Sequence, residues 1–438
     1  MNSADVIALL RDYESRNVLF TDPDGSWPIV WERAKGVHVW DADGKKYLDL
    51  TAAFGVAAAG HANPRVVEAG QKQMEKLTHA MGDVHPHARK AELARELSRI
   101  TFERWSAAKG ETSRPMRGRT IFCNSGFEAV EAALKTAMLA TGKHGVIAFH
   151  GAYHGLGYGA LNTTHRDFFR NPFRMQLKEF ASFVQFPTRA SDLPATELLV
   201  QRLFRRGWVG AILVEPVQAR GGIHVPPPGF LPLLRKLCDE NGALLILDET
   251  YTGFGRTGKW FACEHSGTVP DIICLGKALT GGFPLSACVG RADVMDAWPA
   301  STGEAIHTST FLGNPVGCAM ALAQIKEIET GKLADKAAKL GPGLLEDLAS
   351  LKSTRSILSA RGLGLIAGLE FRSANGQPDG PAAMRVVKAL LQRGFIVIPE
   401  GEHGEVVSFT PPLTITKAQL DQAIGALRET LKEFESAP

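Results

Sequence analysis

The stretch Ala243–Phe283 decides the fold, and it reads ALLILDETYTGFGRTGKWFACEHSGTVPDIICLGKALTGGF. It contains two short apolar runs bounded by polar residues or glycine, one ending at Asp248 and the other just before Lys277. Short apolar runs of this kind predict buried strands of a parallel sheet. Because ligands bind at the carboxyl ends of such strands, we expect Asp248 and Lys277 to lie at one ligand site.

An aspartate and a lysine at one sheet edge have a specific chemical use. A lysine amine forms a Schiff base with an aldehyde, and an aspartate keeps a pyridine nitrogen protonated, so that the ring accepts electrons. These are the two protein groups that pyridoxal 5'-phosphate (PLP) requires. Taken singly, Asp248 is more simply a turn cap and Lys277 a surface lysine. Their pairing at two strand ends favours the cofactor.

The same stretch closely resembles the class III aminotransferases, a family of PLP fold type I. The blocks that carry the resemblance are Asp248–Glu249, Thr252–Gly258 and Pro270–Leu279. Further matches extend over about residues 40–416. The resemblance implies that Lys277 is the Schiff-base lysine and that Asp248 is the partner of the pyridinium nitrogen.

Strand and helix signals alternate from Thr120 to Leu285, which predicts an α/β architecture with a mainly parallel sheet. Together with the resemblance, this predicts a large domain around that central sheet and a smaller α+β domain. We expect an N-terminal segment, residues 1–60, that joins the small domain. The large PLP-binding domain would then be residues 61–327 and the C-terminal small domain residues 328–438.

Composition excludes several classes of partner. Lysine plus arginine number 49 and aspartate plus glutamate 46, a net charge of +3, which predicts neither nucleic-acid nor membrane binding. The six cysteines form no CxxC pair, so we expect reduced thiols and no metal site. The start of the chain lacks the pattern of a signal peptide, which makes the cytoplasm the expected location.

One motif is misleading. Gly253–Gly258 spells GxGxxG, the dinucleotide-binding fingerprint, and it follows a strand. That fingerprint also requires a helix opening on its last glycine and an acidic residue ending the next strand. Here the following residues are too few and too irregular for that helix, so we do not expect nicotinamide binding.

A phosphate site is predicted at residues 124–129, between a strand and a helix. A helix start offers free backbone N–H groups and the positive end of a dipole, and Ser125 and Gly126 add a hydroxyl and close backbone approach. The ordinary alternative is an N-cap serine. The resemblance favours the phosphate, with Phe127 contributing through its backbone because the family usually has a smaller residue there.

The resemblance implies further site residues. An aromatic residue at the position of Tyr153 stacks on the PLP ring in the family. Phe54 would lie near the entrance of the active site. The threonine matching Thr310 reaches the phosphate of the neighbouring subunit, which predicts an obligate homodimer.

Three other residues are candidates for substrate or cofactor contact. Glu215, in a Glu-Pro-Val-Gln block, would face the substrate, with a purely structural role as the alternative. Tyr251 stands where the family has a glutamine that bonds the phenolic oxygen of PLP. Ser408 stands where many members keep a carboxylate-binding arginine, and Arg220 is a candidate to supply the missing charge.

These residues predict a PLP-dependent transaminase that uses a Lys277 Schiff base. It would move an amino group from an amine or ω-amino acid to a keto acid, with pyruvate as a candidate acceptor. The absent arginine at Ser408 lowers the odds of a 4-aminobutyrate- or ornithine-type enzyme. An aminomutase or racemase of the same family is the other alternative, and it would need no second substrate. A PLP-binding protein without turnover disagrees with the presence of both Lys277 and Asp248.

Overall fold

The computed structural model describes residues 1–108, 110 and 116–436. Within these ranges the strands are β1 Trp31–Lys35, β2 His38–Asp41, β3 Lys46–Asp49, β4 Gly118–Cys123, β5 Gly145–Phe149, β6 Ala181–Val184, β7 Val209–Val214, β8 Leu244–Asp248, β9 Ile272–Leu275, β10 Ser286–Arg291, β11 Ile357–Leu363, β12 Ile366–Arg372, β13 Phe395–Ile396, β14 Ile398–Glu400 and β15 Val406–Phe409.

The α-helical segments of the same ranges are α1 Ser3–Tyr13, α2 Ala52–Gly55, α3 Pro64–Met74, α4 Ala88–Ser98, α5 Arg104–Ala108, α6 Gly126–Thr141, α7 Tyr158–Thr163, α8 Asp167–Arg170, α9 Leu193–Phe204, α10 Phe230–Asn241, α11 Ala292–Met295, α12 Pro315–Thr330, α13 Leu333–Ala349, α14 Gly380–Gln392 and α15 Lys417–Ser436. Shorter 3-10 helices are Asn171–Gln176, Ala190–Asp192, Ala262–His265 and Lys277–Leu279, and Arg99–Glu103 is a π-helical turn.

The central sheet has the strand order β4-β10-β9-β8-β7-β5-β6 in the part of the chain that the structure describes. The strands β9, β8, β7, β5 and β6 are parallel to one another. Strand β10 runs antiparallel to both of its neighbours, β4 and β9. The mainly parallel sheet expected from the sequence is therefore confirmed. The sequence analysis did not find β6 or the antiparallel strand β10.

Both faces of this sheet are buried, which explains the continuous apolar runs. Ile246 of β8 packs on one face with Val130 and the alanines of α6. Its neighbours Leu245 and Leu247 point to the opposite face, into the main hydrophobic cluster of the molecule. All six cysteines are buried and free of disulfides, as expected of core thiols.

Strands β8 and β9 are parallel and in register, with Asp248 opposite Cys274. Asp248 is the last residue of β8, and Lys277 opens the 3-10 turn two residues after β9 ends. The two residues therefore lie at the same edge of the sheet, as the sequence predicted.

Two smaller sheets surround this core. One has the order β1-β2-β3-β13, so a strand near the C-terminus pairs with the N-terminal segment. The other has the order β11-β12-β15-β14. The domain boundaries at residues 60 and 327 stay a prediction. In the second of these sheets, Gly364 lies in the turn of the β11–β12 hairpin.

The GxGxxG stretch has a structural role. Its Arg256 is among the largest fully buried side chains, and its guanidinium donates to the carbonyl of Leu365 at 3.0 Å and to the carbonyl of Pro411. These bonds attach the loop after β8 to the small sheet that carries Glu400 and Ser408. No helix that could cross a membrane occurs among the residues that the structure describes.

Replacement of Gly364 by alanine should loosen this attachment. Gly364 has φ +62°, and an added Cβ would lie 2.4 Å from the backbone carbon of Thr257. We expect Gly364→Ala to lower the free energy of unfolding by about 2–5 kcal/mol, from left-handed strain and overpacking. Chemical denaturation would measure it. Gly343→Ala, inside α13 with open space around it, is the control and should be neutral or slightly stabilising. Equal effects of the two changes would contradict this account.

Candidate active site

A cavity of about 550 Å³ opens at the carboxyl edge of the central sheet. Its wall contains six of the residues expected at a cofactor site, namely Ser125, Gly126, Phe127, Tyr153, Asp248 and Lys277. They come from four separate places in the chain. The arrangement of the strands is what brings them together.

The start of α6 forms one side of the cavity. The Glu128 carboxylate accepts the backbone N–H groups of Asn124 at 2.6 Å and Ser125 at 3.3 Å, which fixes the turn into the helix. Among the described residues, the buried Ser125 Oγ has no hydrogen-bond partner. A Cβ on Gly126 would lie 2.9 Å from Thr250 Cγ2, so only glycine fits there. A free hydroxyl at the start of a 16-residue helix is suited to an anion.

Asp248 is buried and held by two hydrogen bonds. Its Oδ2 lies 2.9 Å from His154 Nδ1, and its Oδ1 accepts the backbone N–H of Thr250 at 3.1 Å. Burial raises the pKa of this carboxyl. The hydrogen bonds from His154 and Thr250, together with the charge of His154, lower the pKa by more than burial raises it, so the pKa is lowered overall. The carboxylate is therefore ionised at neutral pH. His154 was missed by the sequence analysis.

Lys277 adopts a left-handed backbone, with φ +43°. Its Nζ lies 4.3 Å from the centroid of the Tyr251 ring. Burial lowers the pKa of Lys277, while the negative charges of Asp248, Glu215 and Glu400 oppose that shift. A lowered pKa increases the fraction of neutral amine, the form that acts as a nucleophile or base.

The Tyr251 hydroxyl points away from Lys277. It shares a hydrogen bond of 3.2 Å with Thr410 Oγ1, and Thr410 also donates to the Thr51 carbonyl at 3.2 Å. The ring of Tyr251, rather than its hydroxyl, therefore faces Lys277. A bond from that hydroxyl to the cofactor stays a prediction.

Glu215 supports the segment that carries Tyr153. Its carboxylate oxygens accept the backbone N–H groups of Tyr153 at 3.0 Å and Ala219 at 3.2 Å. Burial raises the pKa of Glu215 to about 7. These contacts match the structural alternative for Glu215, and a contact with substrate stays a prediction.

Arg220 lies over the ring of Tyr153, with 5.1 Å between the guanidinium carbon and the ring centroid. Its Nε is 3.7 Å from Glu400 Oε2. Glu400, the last residue of β14, was not found from the sequence. Ser408 is fully buried in β15, and its Oγ has no hydrogen-bond partner within the described residues.

Five expected residues lie outside this cavity wall, namely Glu215, Arg220 and Tyr251, described above, and Phe54 and Thr310. Phe54 is 51% exposed and is one of a run of left-handed residues with Ala52 and Ala53. Thr310 is exposed in a segment whose Ser309 accepts a hydrogen bond of 3.3 Å from the Asn124 side chain. That segment therefore lies beside the start of α6. A contact from Thr310 to a neighbouring subunit stays a prediction.

Comparison with known proteins agrees with this geometry. The family model described as aminotransferase class-III matches residues 20–431. The chain is 36% identical over 418 residues to an acetylornithine aminotransferase of Methanosarcina mazei, covering 95% of both chains. It is 37% identical over 443 residues to a putrescine aminotransferase of Pectobacterium atrosepticum, covering 98% of this chain and 89% of the relative.

The fold agrees as well. The structure of an amine transaminase from an uncultivated Pseudomonas species, in its PLP-bound form, matches with a TM-score of 0.85 and 29% identity. The match covers 96% of this chain and 98% of that one. The chain belongs to the class III aminotransferases. It is a PLP-dependent enzyme of fold type I.

The residues around the cavity fit this cofactor. The unpartnered Ser125 hydroxyl at a helix start suits a phosphate, and the ionised Asp248 suits a pyridinium nitrogen. Lys277 supplies an amine of lowered pKa in the same wall. Clusters of three or more His, Cys, Asp or Glu side chains suited to a metal ion are absent from the described residues.

The sequence analysis missed two site residues, His154 and Glu400, for different reasons. His154 directly follows Tyr153, so its position next to a residue expected to stack on the cofactor ring was a usable signal. Glu400 had no such signal, because it ends a short strand in a segment far from the family blocks.

Loss of the Ser125 hydroxyl should weaken the binding of PLP. A hydrogen bond to a charged group contributes about 1.5–3 kcal/mol, so we expect Ser125→Ala to raise the dissociation constant for PLP about tenfold or more. Equilibrium dialysis with absorbance detection would measure it. Ser191→Ala, at an exposed site, is the matched control. An unchanged constant for Ser125→Ala would contradict an anion site at this helix.

Proposed function

We propose that this aminotransferase moves the amino group of a primary amine or ω-amino acid to a keto acid such as pyruvate. The observation that carries the proposal is the presence of Lys277 and Asp248 in the wall of one cavity, at the ends of neighbouring parallel strands. The similar proteins support the donor class, because acetylornithine, putrescine and amine transaminases are among their names.

Six residues of the cavity wall have assigned roles in this proposal. Ser125 and the backbone of Gly126 and Phe127 bind the phosphate, and the ring of Tyr153 stacks on the pyridine ring. Asp248 keeps the pyridine nitrogen protonated. When bound, PLP supplies an electron sink for the charge that develops on the substrate carbon.

Lys277 has two tasks in succession. Its amine would hold the cofactor covalently and would be freed when a donor amine binds. The freed amine then acts as general base and afterwards as general acid, moving a proton at the substrate carbon. The lowered pKa of Lys277 suits both tasks, because it increases the fraction of neutral amine.

The charged residues near the cavity favour donors that do not need an arginine to bind a carboxylate. Ser408, at the position where many members have an arginine, is fully buried and offers only a hydroxyl. Arg220 is a cation close to the cavity, because its guanidinium lies over the ring of Tyr153, which lines the cavity. A 4-aminobutyrate- or ornithine-type activity is the second candidate, and Arg220 is the observation that favours it.

A homodimer is part of the proposal. Thr310 lies in an exposed segment, and its neighbour Phe311 is 57% exposed although it is a large apolar residue. Burial of that segment against a second copy would place Thr310 at a phosphate site across the interface.

The donor class can be tested in a half-reaction. We expect 1-phenylethylamine, mixed with the PLP-loaded protein without an acceptor, to bleach the cofactor absorption band and to release acetophenone. Stopped-flow absorbance and chromatography would measure both. β-Alanine and 4-aminobutyrate test the second candidate. Racemisation or amino-group migration of a single substrate, with no acceptor needed, would instead point to a racemase or aminomutase.

Two substitutions test the assigned roles. We expect Lys277→Ala to abolish turnover, about a millionfold or more, while the fold is retained, because both tasks need the amine.

Asp248→Asn should still bind PLP but slow the proton transfer by about a hundredfold or more, because an amide does not stabilise a pyridinium charge. Rates measured by coupled assay, with circular dichroism as the folding control, would check both. Normal turnover of Lys277→Ala would remove the whole proposal.

A further inference from the structure

Phe127, the second residue of α6, is a large apolar residue at a position where the family more often has a small or hydroxyl residue. It lines the cavity of the active site and is 37% exposed. Its side chain is also in close contact with the segment that directly follows Tyr153, as the space around two glycines of that segment shows.

Both glycines leave room for Phe127. A Cβ on Gly155 would lie 2.3 Å from the Phe127 Cβ, and a Cβ on Gly157 would lie 2.5 Å from Cδ2 of the Phe127 ring. The first approach concerns an atom that every residue except glycine has. The second approach concerns the ring itself, so it depends on the phenylalanine of this chain.

The backbone does not require glycine at position 157. Gly157 has φ −65° and ψ 150°, an extended conformation that alanine adopts readily. Gly155 differs, because its φ of +108° favours glycine for backbone reasons as well. The absence of a side chain at position 157 therefore matches the space that the Phe127 ring occupies, and the two positions form a pair matched in size.

The same face of α6 makes a second attachment one turn later. Glu131 Oε1 accepts the backbone N–H groups of Gly159 at 2.8 Å and Ala160 at 3.1 Å. Residues four positions apart lie on one face of a helix, so Phe127 and Glu131 contact consecutive parts of the same segment. The segment after Tyr153 is thus attached to α6 at two places.

This segment also carries groups of the active site. Tyr153 lines the cavity, and the Nδ1 of His154 lies 2.9 Å from Asp248 Oδ2. Thr164 bonds the segment as well, because its Oγ1 accepts the His154 N–H and donates to the Gly155 carbonyl, both at 2.9 Å. A shift of the segment relative to α6 would therefore displace Tyr153 and His154 together.

We propose that Phe127 is a positioning residue, whose ring holds the segment 153–157 against α6 before the cofactor binds. The inference rests on the proposed function for the roles of Ser125 and Tyr153. The helix α6 then positions both parts of the site, the phosphate group through Ser125 and the pyridine ring through the segment that Phe127 holds. A site that is ordered before binding loses less conformational entropy when its ligand binds.

The first test uses the cofactor-free protein. We expect Phe127→Ala to increase amide hydrogen exchange of residues 153–157 about tenfold, because the ring no longer holds the segment in place. Exchange of residues 159–164 should change less, because Glu131 still bonds Gly159 and Ala160. Mass spectrometry of overlapping peptides measures both. Met138→Ala, which removes another large exposed side chain from α6, is the control and should match the parent protein.

The second test measures the binding of PLP. We expect Phe127→Ala to raise the dissociation constant for PLP about tenfold, because Tyr153 and His154 must then be ordered during binding. The visible circular dichroism per bound PLP should fall, because the orientation of the cofactor ring is less fixed. Phe127→Leu, which fills much of the same space, should restore both quantities, and Met138→Ala should leave both unchanged.

The third test uses the matched pair of positions. Gly157→Ala in the parent protein should displace the Phe127 ring and raise the dissociation constant for PLP about as much as Phe127→Ala does. In the Phe127→Ala background, Gly157→Ala should have no further effect, which a double-mutant cycle shows. Because its backbone conformation suits alanine, Gly157→Ala tests the inference even if Phe127→Ala does not fold.

Three results would overturn the inference. They are unchanged hydrogen exchange in cofactor-free Phe127→Ala, unchanged PLP affinity of Gly157→Ala, and additive effects of the two substitutions. Weaker PLP binding with unchanged exchange would show that the ring only contacts the cofactor. These measurements are independent of turnover. A protein that shows all the expected effects but moves no amino group from any donor would refute the proposed function alone, and turnover of 1-phenylethylamine without these effects would refute only the inference.

Discussion

The site depends on one buried negative charge, the carboxylate of Asp248. Burial of a carboxylate away from water is strongly unfavourable unless other groups bond it. Here His154 and the backbone N–H of Thr250 supply those bonds, and His154 is itself anchored by its backbone N–H, which donates to Thr164 Oγ1 at 2.9 Å. The charge is therefore fixed at the end of β8, where it also acts on the neighbouring Lys277.

Much of this arrangement could be predicted because its signals are local. The apolar runs that end at Asp248 and just before Lys277 show where two strands end, and parallel pairing then places both ends at one edge of the sheet. The turn around Ser125 is likewise visible in the sequence as a strand followed by a helix. The antiparallel strand β10 was missed because its residues, SACVGR, mix serine, glycine and arginine with apolar residues and form no continuous apolar run.

The contacts between distant segments could not be predicted. Tyr251 and Thr410 are 159 positions apart, and His154 and Asp248 are 94 apart. Such pairs depend on how loops and sheets pack in three dimensions, which spacing along the chain does not determine. Tyr251 illustrates the difference. Its hydroxyl shares a hydrogen bond with Thr410, just after β15, and its ring faces Lys277.

The departures from the family pattern form one consistent set of charges. Ser408 stands in the small sheet at a position where many family members have an arginine, and Arg220 lies in the loop after β7. A counterion stabilises the partly buried Arg220 guanidinium, because an unpaired charge in a protein interior is destabilising. Glu400 supplies that counterion from the strand next to Ser408, since β14 and β15 are paired. Arg220 and Glu400 are therefore paired at the junction between the loop after β7 and the small sheet, where the Arg220 carbonyl also accepts the N–H of Gly401 at 3.2 Å.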